Sequence, residues 1–200
     1  MEETFKQTWW DKNLSQKFDE FKGWVGDFKS ESKVFVRNYV KTKNYESIVD
    51  CGCGPATEFF GYKHDGYDIN YLGVDSSTFI HNHITNNGVP AILSPIEKIE
   101  LPDSSFDVSF SRHVMEHLPT FRFGLSELIR LANKEAINVW FIKPDSLEEK
   151  INYDGKENLF HNKYNRNDVE TLLITNNKVA SWRWEDVNDK EIALFIQVKF

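Results

Sequence analysis

The sequence predicts an α/β protein built on a mostly parallel sheet with helices on both faces. Short apolar segments typical of buried strands alternate with segments whose apolar residues recur every three or four positions. The chain then ends with two consecutive strand patterns joined by a turn-like segment at 186–189. We therefore expect a seven-stranded sheet whose last strand is antiparallel and closes a C-terminal hairpin.

The predicted elements follow one another with short connections. Residues 5–40 have the apolar spacing of helices and are expected to form a short N-terminal helical cap. Helices are also expected at 57–62, 112–118, 123–132 and 167–174, and Asp168 is close to the expected N-cap of the last. Strands are predicted, in chain order, at 45–50, 71–75, 89–93, 106–110, 136–142, 179–184 and 192–200.

Length and composition indicate a single globular domain. The 200 residues include 40% hydrophobic residues, enough for a core, and show no linker or internal repeat. We expect one domain, with the cap over 1–44 and the core over 45–200. No apolar run approaches the about 18 residues of a membrane span, and no secretory signal pattern is present. We therefore expect a cytoplasmic protein without a membrane partner.

The net charge of −7 argues against a nucleic-acid partner, because proteins hold nucleic acids mainly through basic contacts to phosphates. The cysteines Cys51 and Cys53 are separated by one residue, whereas common metal-binding pairs are separated by two. The sequence contains no second pair. We expect neither a metal site nor a disulfide framework.

Glycines and polar residues follow four of the predicted strands. The first strand leads into 50–54, whose glycines allow a ligand to approach the backbone closely. The second ends on Asp75, which is placed to accept hydrogen bonds from a ribose. The third leads into 96–97 and the fourth into 111–113. Because ligands bind beyond the carboxyl ends of parallel strands, we expect these segments to form one binding site.

The glycine segment differs from the dinucleotide-binding fingerprint, which has glycine at its first, third and sixth positions. Gly52 and Gly54 supply the first two, but Thr57 stands at the sixth. The phosphate-loop pattern that ends in Gly-Lys-Ser/Thr is also missing. The sequence therefore argues against a nicotinamide or flavin enzyme.

Four segments resemble, in order and at normal spacing, the motifs of the class I S-adenosylmethionine-dependent methyltransferases, especially the group called type 11. They are IVDCGCG at 48–54, LGVD at 72–75, IEKIELPDSSFDV at 96–108 and SRHVMEHLP at 111–119. The resemblance implies a Rossmann-like fold, S-adenosylmethionine as the cofactor and methyl transfer as the reaction.

The resemblance also implies which residues contact the cofactor. The glycine loop would hold the amino-acid part, and the acid after the second strand would accept hydrogen bonds from both ribose hydroxyls. Residues 96–97 would flank adenine, and residues 111–112 would lie near the sulfonium. The implied cofactor-binding residues are Asp50, Gly52, Cys53, Gly54, Asp75, Ser76, Ile96, Glu97, Ser111 and Arg112.

Two positions depart from the family pattern. Ala56 replaces the usual third glycine of the loop, which costs little if the backbone there is not left-handed. Pro95 stands where the family often has an acid. We therefore expect adenine to be held by backbone groups and packing.

Methyl transfer to a hydroxyl usually needs a base, and histidine suits that role near neutral pH. His113 follows the fourth strand and His161 precedes the last predicted helix, so both are candidate catalytic residues. His117 is a third candidate, although a structural role inside its helix is the more common one. Some members of the family need no base. One or more of Trp9, Trp10 and Trp24 could form a wall of the acceptor site.

The expected function is methyl transfer to an oxygen or nitrogen of a small-molecule or sugar-like acceptor. Two alternatives remain open: a catalytically silent scaffold or activator subunit that binds S-adenosylmethionine, and a protein methyltransferase. The Asn/Asp-Pro-Pro-Tyr/Phe motif of nucleic-acid amino methyltransferases is absent after the fourth strand, where SRHV stands. The sequence determines neither the acceptor nor the oligomeric state.

Overall fold

The computed structural model describes residues 18–20, 26–155 and 159–199. Its helices are α1 (Glu31–Thr42), α2 (Thr57–His64), α3 (Thr78–Asn86), α4 (Phe121–Leu131) and α5 (Arg166–Thr175), with a 3-10 helix at Met115–His117 and helical residues at 18–20. No helix in the described ranges is long and apolar enough to cross a bilayer.

A seven-stranded sheet forms the centre of the fold. Its strands are β1 (Ser47–Cys51), β2 (Asn70–Asp75), β3 (Ala91–Leu93), β4 (Phe106–Arg112), β5 (Ala132–Trp140), β8 (Val179–Asp186) and β9 (Ile192–Val198). They lie in the order β3-β2-β1-β4-β5-β9-β8. Strand β9 is antiparallel to both of its neighbours, while β1 to β5 pair in parallel. A separate two-stranded ladder joins β6 (Tyr153–Asp154) to β7 (Leu159–Phe160). The predicted sheet and its C-terminal hairpin are confirmed.

Two apolar clusters pack against opposite faces of the sheet. In β1, Ile48 belongs to the cluster that contains residues of α1, α2 and α3, whereas Val49 belongs to the cluster that contains residues of α4 and α5. Both side chains are 0% exposed. A parallel strand covered on both faces must be apolar on both, which explains why the sequence shows short apolar runs and not strict alternation.

Three predicted helix features differ from the structure in detail. Residues 26–30 lie outside any helix, so the helical pattern of 5–40 is interrupted before α1; residues 1–17 and 21–25 lie outside the described ranges. Residues 112–118 form the end of β4 and the 3-10 helix, because His113 has a φ of 58° that an α-helix does not accept. The last helix, predicted from 167, begins one residue earlier as α5; its N-cap is Asn165, whose side chain accepts from the backbone N–H of Asn167 at 2.9 Å.

A buried carboxylate joins the hairpin to the helical layer. Glu135 of β5 is 0% exposed and accepts hydrogen bonds from the hydroxyls of Tyr39 and Tyr45, each at 3.0 Å. The side-chain amide of Gln197 donates to the same carboxylate, and Arg183 lies 3.4 Å from it. Four elements of the sequence therefore converge on a single side chain.

Candidate active site

The glycine loop after β1 is held by backbone hydrogen bonds to β2. The backbone N–H groups of Gly52 and Cys53 both donate to the carbonyl of Val74, at 2.7 and 3.0 Å. Gly52 and Gly54 have φ values of 77° and 51°, in the left-handed region that favours glycine. A Cβ on Gly52 would lie 2.4 Å from Val114 Cγ2. The close approach to Val114 therefore requires glycine at position 52.

We expect Gly52→Ala to lower the free energy of unfolding by about 2–4 kcal/mol, since overpacking adds to the cost of a left-handed backbone. Gly88→Ala is the matched control. Gly88 has a φ of 74°, but no heavy atom lies within 4 Å of the added Cβ, so only the backbone cost remains. Urea unfolding of both variants measures the difference. Equal losses in the two variants would show that the contact with Val114 contributes nothing.

Ala56 has a φ of 54° and a ψ of 42°, directly before α2. We expected the replacement of glycine by Ala56 to cost little only if the backbone there were not left-handed. The backbone is left-handed, so this condition is not met. Ala56 is 0% exposed and belongs to the core, so its methyl group is buried while its backbone is strained.

Asp75 links the end of β2 to the glycine loop. One carboxylate oxygen accepts from the backbone N–H of Gly54 and the other from that of Ser77, each at 2.9 Å. Ser76 lies between Asp75 and Ser77, in the bend that precedes α3. The two hydrogen bonds fix the orientation of the Asp75 carboxylate, and Asp75 is still partly exposed.

Buried charges lie beneath the glycine loop. Asp50 is 4% exposed and accepts from the hydroxyl of Tyr71 at 2.8 Å. Burial and the nearby Glu58 raise the pKa of Asp50 to about 7. Burial and the nearby Arg112 lower the pKa of Lys33, at the start of α1, to about 8. Opposite charges therefore share a region of low dielectric beside the loop.

Lys33, Arg37 and Glu58 are site neighbours that the sequence analysis missed. The Arg37 guanidinium lies 3.3 Å from Glu58, and both side chains are almost fully buried. The available signal was the spacing of Lys33, Val36, Arg37 and Val40, which puts two cations on the apolar face of one helix. Buried cations generally need an anionic partner, so this pattern indicates a buried charge cluster.

The segment after β3 supplies an apolar surface beside β2. Ile96 is 5% exposed and packs in the core, and Glu97 is half-buried. The backbone N–H of Ser94 donates to the carbonyl of Asp75 at 3.0 Å, which keeps this segment next to the ribose-binding candidate. Pro95 is exposed.

The last two residues of β4 and the residue after it differ in exposure. Ser111 is 0% exposed and its hydroxyl lies in the interior, whereas Arg112 and His113 are partly exposed. His113 Nε2 lies 2.6 Å from Glu191, the residue directly before the last strand of the C-terminal hairpin. Glu191 was not predicted, because nothing in the sequence relates a hairpin acid to a residue 78 positions earlier.

Phe141, directly after β5, brings the candidate histidines together. Its ring lies 5.0 Å from that of His113 and 5.4 Å from that of His117. His161, which is exposed, lies 5.1 Å from His117. We call these four residues the histidine–phenylalanine wall. The sequence analysis missed Phe141; its place directly after a strand of the parallel sheet was the available signal.

The histidine–phenylalanine wall rests on buried polar contacts. His117 Nδ1 donates to the carbonyl of Phe160 at 2.8 Å, and burial lowers the pKa of His117 to about 4 despite this bond. Glu116 is 0% exposed and accepts from the backbone N–H of Phe141 at 2.6 Å. Burial raises the pKa of Glu116 to about 7. Because its own pKa is about 4, His117 is neutral at physiological pH.

Cys51 and Cys53 are buried free thiols, and Cys53 packs against Gly73. Across the described ranges, no group of three or more His, Cys, Asp or Glu side chains is arranged to hold a metal ion. Trp9, Trp10 and Trp24 lie outside these ranges.

The residues present fit S-adenosylmethionine. The left-handed glycines leave the loop without side chains, and the fixed carboxylate of Asp75 suits a pair of ribose hydroxyls. Asp50, directly before the loop, interacts electrostatically with Lys33, and both side chains are almost fully buried.

A family model described as a methyltransferase domain, of type 11, matches residues 49–139. No curated protein matches the chain. The magnesium protoporphyrin IX methyltransferase of Synechocystis, solved with S-adenosylhomocysteine, is 14% identical with a TM-score of 0.69, and the match covers 97% of this chain and 100% of that one. The 1,6-didemethyltoxoflavin-N1-methyltransferase of Burkholderia thailandensis is 9% identical with a TM-score of 0.67, over 96% and 88% of the two chains.

A third similar structure is an S-adenosylmethionine-dependent methyltransferase of Clostridium acetobutylicum, 11% identical with a TM-score of 0.66, over 94% of this chain and 100% of that one. These likenesses show the fold, and the family model accounts for the motifs between β1 and β5. Together these findings support a class I S-adenosylmethionine-dependent methyltransferase of the type 11 group, with S-adenosylmethionine as the cofactor.

Proposed function

We propose that this methyltransferase acts on an oxygen or nitrogen of a small-molecule acceptor that lies against the histidine–phenylalanine wall. The observation that carries the proposal is the position of Phe141, directly after β5, against His113, directly after β4, and His117, in the 3-10 helix that follows, at the same sheet edge as the glycine loop. A flat apolar ring between imidazoles suits a small acceptor better than a polymer.

The acceptors named for two solved neighbours support a small molecule. One of those proteins is a methyltransferase of magnesium protoporphyrin IX, and the other is an N1-methyltransferase of 1,6-didemethyltoxoflavin. The net charge of −7 supports the same choice, because it disfavours a nucleic-acid acceptor.

The cofactor supplies an activated methyl group on a sulfonium, so the protein mainly aligns the acceptor and excludes water. Asp75 would hold the ribose hydroxyls, and Ser76 follows it in the bend. The amino-acid end would lie on the glycine loop, with Asp50 and Lys33 as its charge partners. Ile96 and Glu97 would flank adenine.

The remaining assignments concern the end of β4, the glycine loop and the two candidate catalytic histidines. Arg112 would lie near the sulfonium end with Ser111 behind it, and Cys53 would contribute backbone to the loop. His113 would accept the acceptor's proton. His161 would contact the far side of the acceptor, since its imidazole is exposed beyond His117.

We expect Phe141→Ala to raise the KM for the acceptor about 10-fold, because an apolar contact of this size is worth roughly 1–3 kcal/mol. The affinity for S-adenosylmethionine should stay unchanged. Phe123→Ala is the control, since Phe123 is 63% exposed on α4. Calorimetry measures cofactor binding, and transfer of labelled methyl groups to a panel of phenols, amines and N-heterocycles measures activity.

Two results would contradict the proposal. Cofactor binding without transfer to any small molecule would favour the scaffold or the protein methyltransferase. An equal loss in Phe123→Ala and Phe141→Ala would remove the histidine–phenylalanine wall as the acceptor site.

A further inference from the structure

His113 adopts a backbone conformation that is rare for a residue with a side chain. Its φ is 58°, and its backbone N–H donates to the carbonyl of Val139 at 2.9 Å. Non-glycine residues in this region cluster at functional sites, where surrounding contacts hold them in place. The contacts that hold His113 therefore bear on what the imidazole does.

Glu191 supplies the shortest of these contacts. Its Oε1 lies 2.6 Å from His113 Nε2 and accepts from the Ser32 hydroxyl at 2.7 Å, while Oε2 accepts from the Asn188 amide at 2.8 Å. Burial opposes ionisation, but the hydrogen bonds from His113, Ser32 and Asn188 lower the pKa of Glu191 to about 2. Glu191 is therefore a carboxylate that can only accept.

An acceptor at 2.6 Å requires a proton on Nε2 of His113. In the neutral ring the lone pair is then on Nδ1. Arg112 Nη1 lies 3.0 Å from Nδ1 and 3.4 Å from Nε2. The two ring nitrogens are joined through a single carbon, so a group this close to both must lie over the ring face. Arg112 therefore lies over the imidazole, whereas the lone pair of Nδ1 points outward in the plane of the ring.

We propose that Glu191 is a positioning residue that holds His113 as the Nε2–H tautomer, so that Nδ1 is the nitrogen that takes the acceptor's proton. This inference rests on the proposed function. The acceptor's O–H or N–H proton moves to Nδ1, and the acceptor's lone pair forms the bond to the methyl carbon. The electron pair of the broken carbon–sulfur bond stays on sulfur, and the proton leaves from Nδ1 to water.

The titratable groups around His113 come from four parts of the fold. They are Arg112 at the end of β4, Lys33 of α1, His117 of the 3-10 helix and Glu191 directly before β9. Burial lowers the pKa of His113, the bond to Glu191 raises it, and Arg112 lowers it. Removal of the Glu191 charge should therefore lower this pKa further.

The test is 15N NMR of the histidine rings in the cofactor-free protein, as a function of pH. His113→Asn identifies the His113 signals. In the wild type we expect the Nε2–H tautomer and a pKa below 6.5. In Glu191→Gln we expect a pKa lower by about one unit or more, and a mixture of tautomers. Glu185→Gln is the control: it is an exposed acid of the same hairpin, 3.6 Å from Arg183.

Kinetics supply the second readout. The acidic limb of kcat/KM should shift to lower pH in Glu191→Gln, with kcat reduced, and Glu191→Asp should restore the wild-type limb in part. An Nδ1–H tautomer in the wild type would overturn the proposal, as would a tautomer and pKa that Glu191→Gln leaves unchanged. If Glu191→Gln unfolds, the wild-type tautomer and the Glu191→Asp titration decide in the same way.

The proposal for Glu191 and the proposal of a small-molecule acceptor can be disproved independently. The ring tautomer is measured without cofactor or acceptor, so it tests Glu191 even if no small acceptor is found. Calorimetry with S-adenosylmethionine on the same variants should give nearly wild-type affinity, because Glu191 contacts His113, Ser32 and Asn188 and lies 3.9 Å from Arg112, away from the glycine loop.

Discussion

Asp75→Ala is expected to weaken binding of S-adenosylmethionine about 100-fold or more, since charge-assisted hydrogen bonds are worth about 1.5–3 kcal/mol each. The variant removes the proposed acceptor for the ribose hydroxyls. It also removes the anchor of Gly54 and Ser77, whose backbone N–H groups each donate to this carboxylate at 2.9 Å. Calorimetric titration with S-adenosylmethionine and its demethylated product measures the loss.

Two further variants separate these effects. Asp68→Ala removes an exposed acid shortly before β2 and should leave the affinity unchanged. Asp75→Asn keeps one oxygen for Gly54 or Ser77 but removes the charge, so its loss should lie between those of the wild type and Asp75→Ala. If Asp75→Ala binds the cofactor as tightly as the wild type, Asp75 is not a cofactor residue.

Glu135→Ala should have the largest effect on stability, a loss of about 3–5 kcal/mol in the free energy of unfolding. Removal of one partner from a buried charged cluster leaves the others unsatisfied. In this variant Tyr39, Tyr45, Gln197 and Arg183 all lose their acceptor, and the missing side chain leaves a cavity. Chemical denaturation monitored by circular dichroism gives the value.

Glu135→Gln is the matched variant, because it keeps the shape and one acceptor oxygen and should cost less than half as much. Glu100→Ala, at an exposed position, should have little effect. A loss below about 1 kcal/mol in Glu135→Ala would mean that the four donors find other partners or water.

The strands could be predicted because each parallel strand is covered on both faces and must be apolar throughout. The segments at 45–50 and 71–75 coincide with β1 and β2 to within two residues at each end. The helix predicted at 112–118 was wrong because apolar spacing does not reveal a left-handed backbone at His113. That conformation depends on contacts with β5 and the hairpin.

The glycine loop, the acid at the end of β2 and the other motifs are each short contiguous segments of the sequence. The sequence was therefore sufficient to predict the sheet and the cofactor. The partnership of His113 with Glu191 spans 78 residues, and that of Tyr39 with Glu135 spans 96. The sequence specifies these residues, but local propensity does not indicate which distant side chains meet. The tertiary structure alone decided these contacts, because they form only where α1, β4, β5 and the hairpin are brought together.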